Sequence, residues 1–322
     1  MKIFIDGNEI EVKDGETVLE ACRRTGTPIP SMCFAPGKEH KPSCMVCMVR
    51  NEATGQMMPS CSTYPTDGMR IDTRSDEVLQ TRRLAVELLL SDHRADCEAP
   101  CTIACPKKLD IAKMLYHYDE GDYPKAKAYV ASVFALPQIG CDDCKAPCEK
   151  VCRRGTVDAN VPIREIVKKL AAMEDIPAQG DPSLLSHIDR TRFSSRLGAF
   201  SPQEKIRLKE TVTTPSTCLH CACLSKEECT LRDVATSLAI KSPRFGVNSL
   251  QPFKAEKKIT GKLVFEPSKC IRCGLCVYNT VDGFTFKGRG FGMQVILPEE
   301  SYSHVSEEVA SLCPTGALSL GH

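Results

Sequence analysis

The residues of this chain best equipped for chemistry are its cysteines, 20 of them in 322 residues, and they are grouped. Cys33-x10-Cys44-x2-Cys47-x13-Cys61 comes first, followed by Cys97-x3-Cys101-x3-Cys105 and Cys141-x2-Cys144-x3-Cys148-x3-Cys152. Cys218-x2-Cys221-x1-Cys223-x5-Cys229 and Cys270-x2-Cys273-x2-Cys276 with Cys313-Pro314 complete the series. A Cys-x2-Cys pair sets two sulfurs on one side of a loop and leaves backbone N–H groups free to bond further sulfur. Cysteines spaced i, i+4 on a helix share one face. Such thiols either pair as disulfides or bind metal as thiolates. Met1-Lys2-Ile3-Phe4-Ile5-Asp6-Gly7 reads as a strand entering a turn rather than as an export signal. A reducing, cytoplasmic compartment and metal ligation are therefore expected.

Composition points the same way. Trp is absent and Phe and Tyr number 11 and 7, so large aromatic core anchors are scarce and metal is expected to hold small modules together. A formal net charge of +1 argues against a nucleic-acid partner. No apolar run approaches the roughly 18 residues that span a bilayer, which predicts a soluble chain without direct membrane insertion. Gly288-Arg289-Gly290-Phe291-Gly292 lacks the dinucleotide-binding spacing and no phosphate-binding P-loop occurs, so the chain is not expected to bind NAD(P)H, flavin or ATP itself. Lys107-Lys108 and Arg153-Arg154 lie beside cysteines, either as ordinary surface or as compensation for anionic metal centres.

The elements that must position these thiols are short. Ile3, Ile5, Ile10 and Val12 around Asp6-Gly7-Asn8 predict a hairpin. Thr17 and Glu20 form a capping box for a helix carrying Val18, Leu19 and Cys22, and Cys22, with no cysteine at ligand spacing, reads as a small buried hydrophobe. Ser75-Asp76-Glu77 opens a longer helix with Arg82-Arg83 expected on its exposed side, ending at Ser91-Asp92-His93. A helical hairpin across Gly121-Asp122-Tyr123 and a helix from Pro162 to Ala172 follow. Residues 173–215 lack cysteine and read as a surface spacer with short helices near 182–190 and 202–210.

Cys33, Cys44, Cys47 and Cys61 stand in the pattern of the amino-terminal domain of the complex I 75-kDa subunit family, NAD-linked hydrogenases and related formate dehydrogenases. That resemblance implies a β-grasp ferredoxin fold and a [2Fe–2S] cluster on these four, with structural zinc as the alternative. In the same family a Leu-rich helix end followed by His-x3-Cys opens a [4Fe–4S] site, and His93 and Cys97 fit that opening. The family's next two cysteines, spaced by two and five residues, do not follow Cys97. Instead Cys97-x3-Cys101-x3-Cys105-Pro106, the second run and Arg153-Arg154-Gly155-Thr156 resemble the α-helical ferredoxin domain of glutamate synthase small subunits and dihydropyrimidine dehydrogenase. This implies one [4Fe–4S] cluster on His93, Cys97, Cys101 and Cys152 and another on Cys105, Cys141, Cys144 and Cys148. His93 also reads as a helix-capping residue.

Cys218, Cys221, Cys223 and Cys229 are compact enough for a local [4Fe–4S] cluster or for zinc, with His220 expected exposed rather than bound. Cys270, Cys273, Cys276 and Cys313, with Gly274 and the Cys313-Pro314-Thr315-Gly316-Ala317 sequence, carry the bacterial ferredoxin signature and imply a further [4Fe–4S] cluster. Asn279 and Thr280 occupy the stretch where a second cluster would need a fourth cysteine, and a strand is expected to return near Gly292 to Leu297. One [2Fe–2S] and four [4Fe–4S] clusters use every cysteine but Cys22.

The expected architecture is an α+β multi-module chain. A β-grasp [2Fe–2S] ferredoxin occupies 1–75, an α-helical di-cluster ferredoxin domain 76–172, a linker 173–215, and a C-terminal ferredoxin-like [4Fe–4S] region with two clusters 216–322. The resemblance implies a non-catalytic relay subunit of a multi-subunit NAD(P)H-linked oxidoreductase. Its expected partners are an NADH-oxidising flavoprotein subunit and a terminal oxidoreductase subunit. A zinc-stapled interaction scaffold and a subunit with one open-iron catalytic cluster are the alternatives.

Overall fold

The computed structural model describes residues 1–178, 189, 191–211, 214, 217–223, 228–241, 244–246, 253, 257–258 and 262–320. It is a mixed α/β structure that divides into two compact units, Met1–Arg94 with Ser225–His322, and Ala95–Leu224.

In the first unit the Asp6-Gly7 turn, both residues at positive φ, joins β1 (Lys2–Ile5) to β2 (Asn8–Glu11) as a hairpin. Strands β3 (Met48–Asn51), β4 (Met57–Pro59) and β5 (Arg70–Asp72) complete a five-stranded sheet of order β2-β1-β5-β3-β4. Only the central β1–β5 pair is parallel. Helix Val18–Arg24 starts on the expected reciprocal cap: the Thr17 side chain accepts from the Glu20 N–H, and the Thr17 N–H donates to the Glu20 carboxylate at 2.9 Å. Ile3, Val18, Leu19, Val49 and Ile71 form a dry core around Cys22.

Helix Asp76–Asp92 starts at Ser75 and stops at His93, as its ends predict. Its facing is a correction to the sequence reading. Arg82 is buried rather than exposed, its Nε donating to the Met48 carbonyl at 2.9 Å, while Leu84 and Leu88 are 41% and 49% exposed. A backbone acceptor on β3 draws the guanidinium inward, a contact that helical periodicity does not reveal.

The rest of this unit is built on β6 (Lys257–Lys258), β7 (Leu263–Phe265), β8 (Thr285–Lys287), β9 (Gln294–Ile296) and β10 (Leu318–Leu320). These pair as β10-β7-β6 and β8-β9. Strand β9 is the expected return, and Leu263, Phe265, Phe284, Val295 and Leu297 form the core between them.

The second unit is helical among its described residues. Asp110 and Asp122 cap helices Ile111–Asp119 and Tyr123–Ala131 on either side of Gly121, which turns at φ +78°. Helix Ile163–Ala171 closes over them, and Leu109, Met114, Leu115, Val130 and Leu170 fill the interior. The expected helix near 202–210 is Pro202–Thr211; that near 182–190 falls outside the described residues apart from Asp189.

The stretch before Cys97 and the stretch carrying Cys223 run side by side: Asp96 and Ala222 form a parallel bridge, and the Cys223 N–H donates to the Asp96 carbonyl at 2.8 Å. Residues 95–224 therefore form an excursion from the first unit. Within the 173–215 span, Phe193, Leu197, Phe200 and Leu208 are buried. No described helix is long and apolar enough to cross a membrane.

Candidate metal centres

Cys33, Cys44, Cys47 and Cys61 converge in the first unit, each at most 4% exposed. The thiols lie close enough to perturb one another: Cys33 is held below the usual thiol range, and Cys44 and Cys61 above it, by their neighbours in the set. Cys47 is drawn down to about 6 by the neighbouring Cys61 thiol. Two cations that the sequence reading did not connect with this set stand beside it. Arg23, anchored on the Ile29 carbonyl at 3.0 Å and the Ser31 hydroxyl at 2.7 Å, acts electrostatically on Cys47 and Cys61, and buried Arg82 acts on Cys47. A four-thiolate [2Fe–2S] centre is anionic, and nearby guanidinium charge, buried at Arg82 and exposed at Arg23, suits it.

Cys270, Cys273, Cys276 and Cys313 line one cavity with Phe265 and Pro314. Burial pushes the Cys270 thiol up to about 12 and raises Cys273 and Cys276, whose neighbouring thiols add to the effect. Desolvated, mutually repelling thiols are costly as thiolates unless a cation joins them, so the donor set fits an iron–sulfur cluster. Gly274, at φ +82°, carries the loop round the cavity, and the Arg272 N–H donates to Cys270 Sγ at 3.3 Å. The loop is braced against helix Asp76–Asp92 by an ion pair between Arg272 and Asp92.

The two cysteine sets of this unit share a surface. The Glu39 N–H donates to Asn279 Oδ1 at 3.1 Å and Asn279 Nδ2 to the Glu39 carbonyl at 2.8 Å, while the Ser43 hydroxyl lies 3.5 Å from the Cys273 carbonyl. Lys41 sits 5.0 Å from the Tyr278 ring centroid. Charge on Cys33 is felt at Cys273.

In the second unit, Cys105, Cys141, Cys144 and Cys148 line a cavity with Lys107 and Arg164. Burial pushes Cys148 up to about 11 and also raises Cys141. Arg164 Nη1 donates to the Cys144 carbonyl at 3.1 Å, and its charge opposes the rise at Cys141. The donor set again fits a cluster.

The residues of the two remaining sets are distributed over both units. His93 belongs to the first unit, with its Nδ1 3.0 Å from the Lys269 carbonyl, and burial pushes its imidazole down to about 4. Cys97, Cys101 and Cys152 belong to the second. Cys97 Sγ accepts the Ser195 N–H at 3.3 Å, a contact 98 residues away in sequence. Cys218 and Cys221 pack with Cys101 and Cys152 against one core. Cys223 follows them beside Asp96, whereas Cys229 lies in the first unit at the start of helix Thr230–Ser237, its thiol 4.0 Å from the Pro314 carbonyl. His220 is half-buried, its Nε2 3.0 Å from Asp119 Oδ2, and these two and Cys218 have ligand atoms within 4.8 Å of one another. Cys22 is fully buried and its thiol is pushed up to about 12 by desolvation.

Known proteins resemble this chain in part. Residues 1–76 match the family described as a 2Fe-2S iron-sulfur cluster binding domain, and residues 89–176 match dihydropyrimidine dehydrogenase domain II, 4Fe-4S cluster. The chain is 41% identical over 102 residues to the NADP-reducing hydrogenase subunit HndD of Solidesulfovibrio fructosivorans, covering 30% of this chain and 17% of that protein. It is 29% identical over 165 residues to an NADH-quinone oxidoreductase subunit of Rhizobium meliloti (strain 1021), covering 47% and 19%. Identity to the NADH-ubiquinone oxidoreductase 75 kDa subunit of Reclinomonas americana is 32% over 127 residues, covering 39% and 18%. The matches thus span less than a fifth of each relative's length. An NAD+-reducing [NiFe]-hydrogenase in its H2-reduced state shares the fold at a TM-score of 0.50 and 16% identity, over 99% of this chain and 86% of that one. The chain thus matches a 2Fe-2S cluster binding domain over residues 1–76 and a 4Fe-4S cluster domain over residues 89–176, and is similar to parts of subunits of NAD(P)-linked hydrogenase and NADH-quinone oxidoreductase complexes.

Proposed function

We propose that this chain is a non-catalytic electron-relay subunit of a cytoplasmic, multi-subunit NAD(P)H-linked oxidoreductase, holding one [2Fe–2S] and four [4Fe–4S] clusters. The observation that carries the reading is the direct apposition of two cysteine loops through Glu39, Asn279, Ser43 and Cys273. Cys33, Cys44, Cys47 and Cys61 would hold the [2Fe–2S] cluster. Cys270, Cys273, Cys276 and Cys313 would hold one [4Fe–4S] cluster and Cys105, Cys141, Cys144 and Cys148 another. Clusters bound there would supply reversible one-electron storage. The protein's own part is to bury the thiols, aim N–H groups at sulfur, set Arg23, Arg82 and Arg164 nearby, and fix the separation of adjacent centres.

Its partners in this reading are an NADH-oxidising flavoprotein subunit and a terminal oxidoreductase subunit; the relatives' names, NADP-reducing hydrogenase and NADH-quinone oxidoreductase, support a nicotinamide-linked complex of several subunits. Anaerobic purification with metal analysis and visible spectra tests the reading. About 18 irons per chain and broad absorption bleached by dithionite are expected. A colourless protein holding zinc overturns it in favour of a stapled scaffold, and substrate-dependent spectral change in the isolated chain overturns the non-catalytic role.

A further inference from the structure

We infer that Cys101, Cys152, Cys218 and Cys221 together hold one [4Fe–4S] cluster within the second unit, assembled from three separate stretches of the chain. The inference rests on the relay reading for the choice of iron over zinc and deepens it by assigning a ligand set.

Convergence is the first observation. Cys101 lies on helix Pro100–Ala104, Cys152 follows helix Pro147–Lys150, and both pack with Cys218 and Cys221 against the same core. The same core also takes Cys105, Cys141 and Cys148, which line a cavity of their own. The Asp96–Ala222 bridge explains how residues so distant in sequence meet, since it returns the chain to the start of the Cys101 helix.

The second observation is a repeated loop. Cys218-Leu219-His220-Cys221 and Cys270-Ile271-Arg272-Cys273 share their backbone signature: His220 and Arg272 both take left-handed φ values, +47° and +56°. In each, the N–H of that residue donates to the first cysteine's Sγ at 3.3 Å, and the intervening Leu219 or Ile271 is 4% exposed. Left-handed backbone is uncommon for residues other than glycine. Here it turns an N–H towards sulfur, an arrangement that suits a cluster-ligating thiolate. The loop in the ferredoxin-like cavity and the loop at Cys218 are thus built alike.

A buried ion pair supports the set. Arg153, next to Cys152, donates from Nε and Nη2 to Asp96 at 2.5 and 2.8 Å, and Asp96 is fully buried. The pair ties the Cys152 turn to the strand that bridges Ala222, fixing two of the three stretches against each other.

Iron counting with EPR on the anaerobically isolated full chain tests the grouping. Cys101→Ala and Cys218→Ala are each expected to remove the same about four irons and the same reduced-state signal, and the double variant to remove no more than either single one. Doubling of the loss to about eight irons places the two cysteines on different clusters and overturns the grouping. Retention of the [2Fe–2S] signal reports that the chain has folded. Should the alanine variants lose it, Cys101→Ser and Cys218→Ser replace them, with one and the same signal perturbed by both as the supporting result and two different signals as the overturning one. A zinc lost on Asp119→Ala, with iron otherwise unchanged, assigns Cys218 to Asp119 and His220 and also overturns the grouping. Wild-type chain with zinc and no iron overturns the relay reading itself.

Discussion

The imidazole Nδ1 of His93 lies 3.0 Å from the carbonyl oxygen of Lys269, and the Thr315 hydroxyl donates to the same oxygen at 2.9 Å. Nδ1 therefore carries the proton, which leaves Nε2 as the basic nitrogen, the tautomer a metal-ligating histidine needs. Burial keeps the ring neutral, with its pKa pushed down to about 4. A neutral donor raises a cluster's potential relative to a thiolate. His93→Cys is expected to retain the iron content and lower one cluster's midpoint by on the order of 100 mV. An unchanged redox titration removes His93 from the ligands.

Asn279 occupies a position where a second cluster would have placed a cysteine, and it spans two modules instead. Its amide exchanges two hydrogen bonds with the Glu39 backbone and donates a third to the Leu275 carbonyl at 2.9 Å. Asn279→Ala removes all three, a loss of about 1–3 kcal/mol for the loop contact. Iron content should hold while magnetic broadening between the reduced [2Fe–2S] and C-terminal clusters weakens. Unaltered broadening in EPR spectra of the dithionite-reduced variant would show that Asn279 does not set the separation.

Arg82 offers a test of the charge environment. It is 4% exposed, bonded to the Met48 carbonyl, and acts electrostatically on Cys47. Reduction adds negative charge, so removing a nearby buried cation disfavours the reduced form. Arg82→Met should lower the [2Fe–2S] midpoint by some tens of mV, roughly, with the other clusters unmoved. A rise, or no change, in an EPR-monitored titration assigns Arg82 to packing alone.

What is legible in the sequence is local. The Thr17–Glu20 box, the Ser75 start, the helical hairpin across Gly121-Asp122-Tyr123 and strand β9 depend on neighbours within a few residues, and the structure has each. Arg82 defeats the pattern because its partner, Met48, lies 34 positions away on a strand, and amphipathic periodicity cannot indicate a carbonyl waiting inside. Ser195 escapes notice for the same reason, standing 98 positions from Cys97. The approach of Cys218 and Cys221 to Cys101 and Cys152 follows from the Asp96–Ala222 bridge, a long-range pairing with no composition or periodicity to announce it. Spacing identifies which residues bind metal more readily than it identifies which of them share one.

Gly274 tests how tightly a cluster loop depends on its backbone. It sits at φ +82°, and a Cβ there would lie 2.6 Å from Tyr278 Cε2 and 3.2 Å from Phe286 Cζ. Gly274→Ala thus adds about 1–2 kcal/mol of conformational strain to a steric clash, at the residue between Cys273 and Cys276. The expected result is loss of about four irons and of the C-terminal cluster's signal, with the [2Fe–2S] signal retained. Adding Tyr278→Ala removes the nearest obstacle but leaves the backbone strain, so the double variant should recover part of the cluster. Full recovery would attribute the effect to the ring alone, and wild-type iron in Gly274→Ala itself would show that the loop tolerates a side chain at this turn.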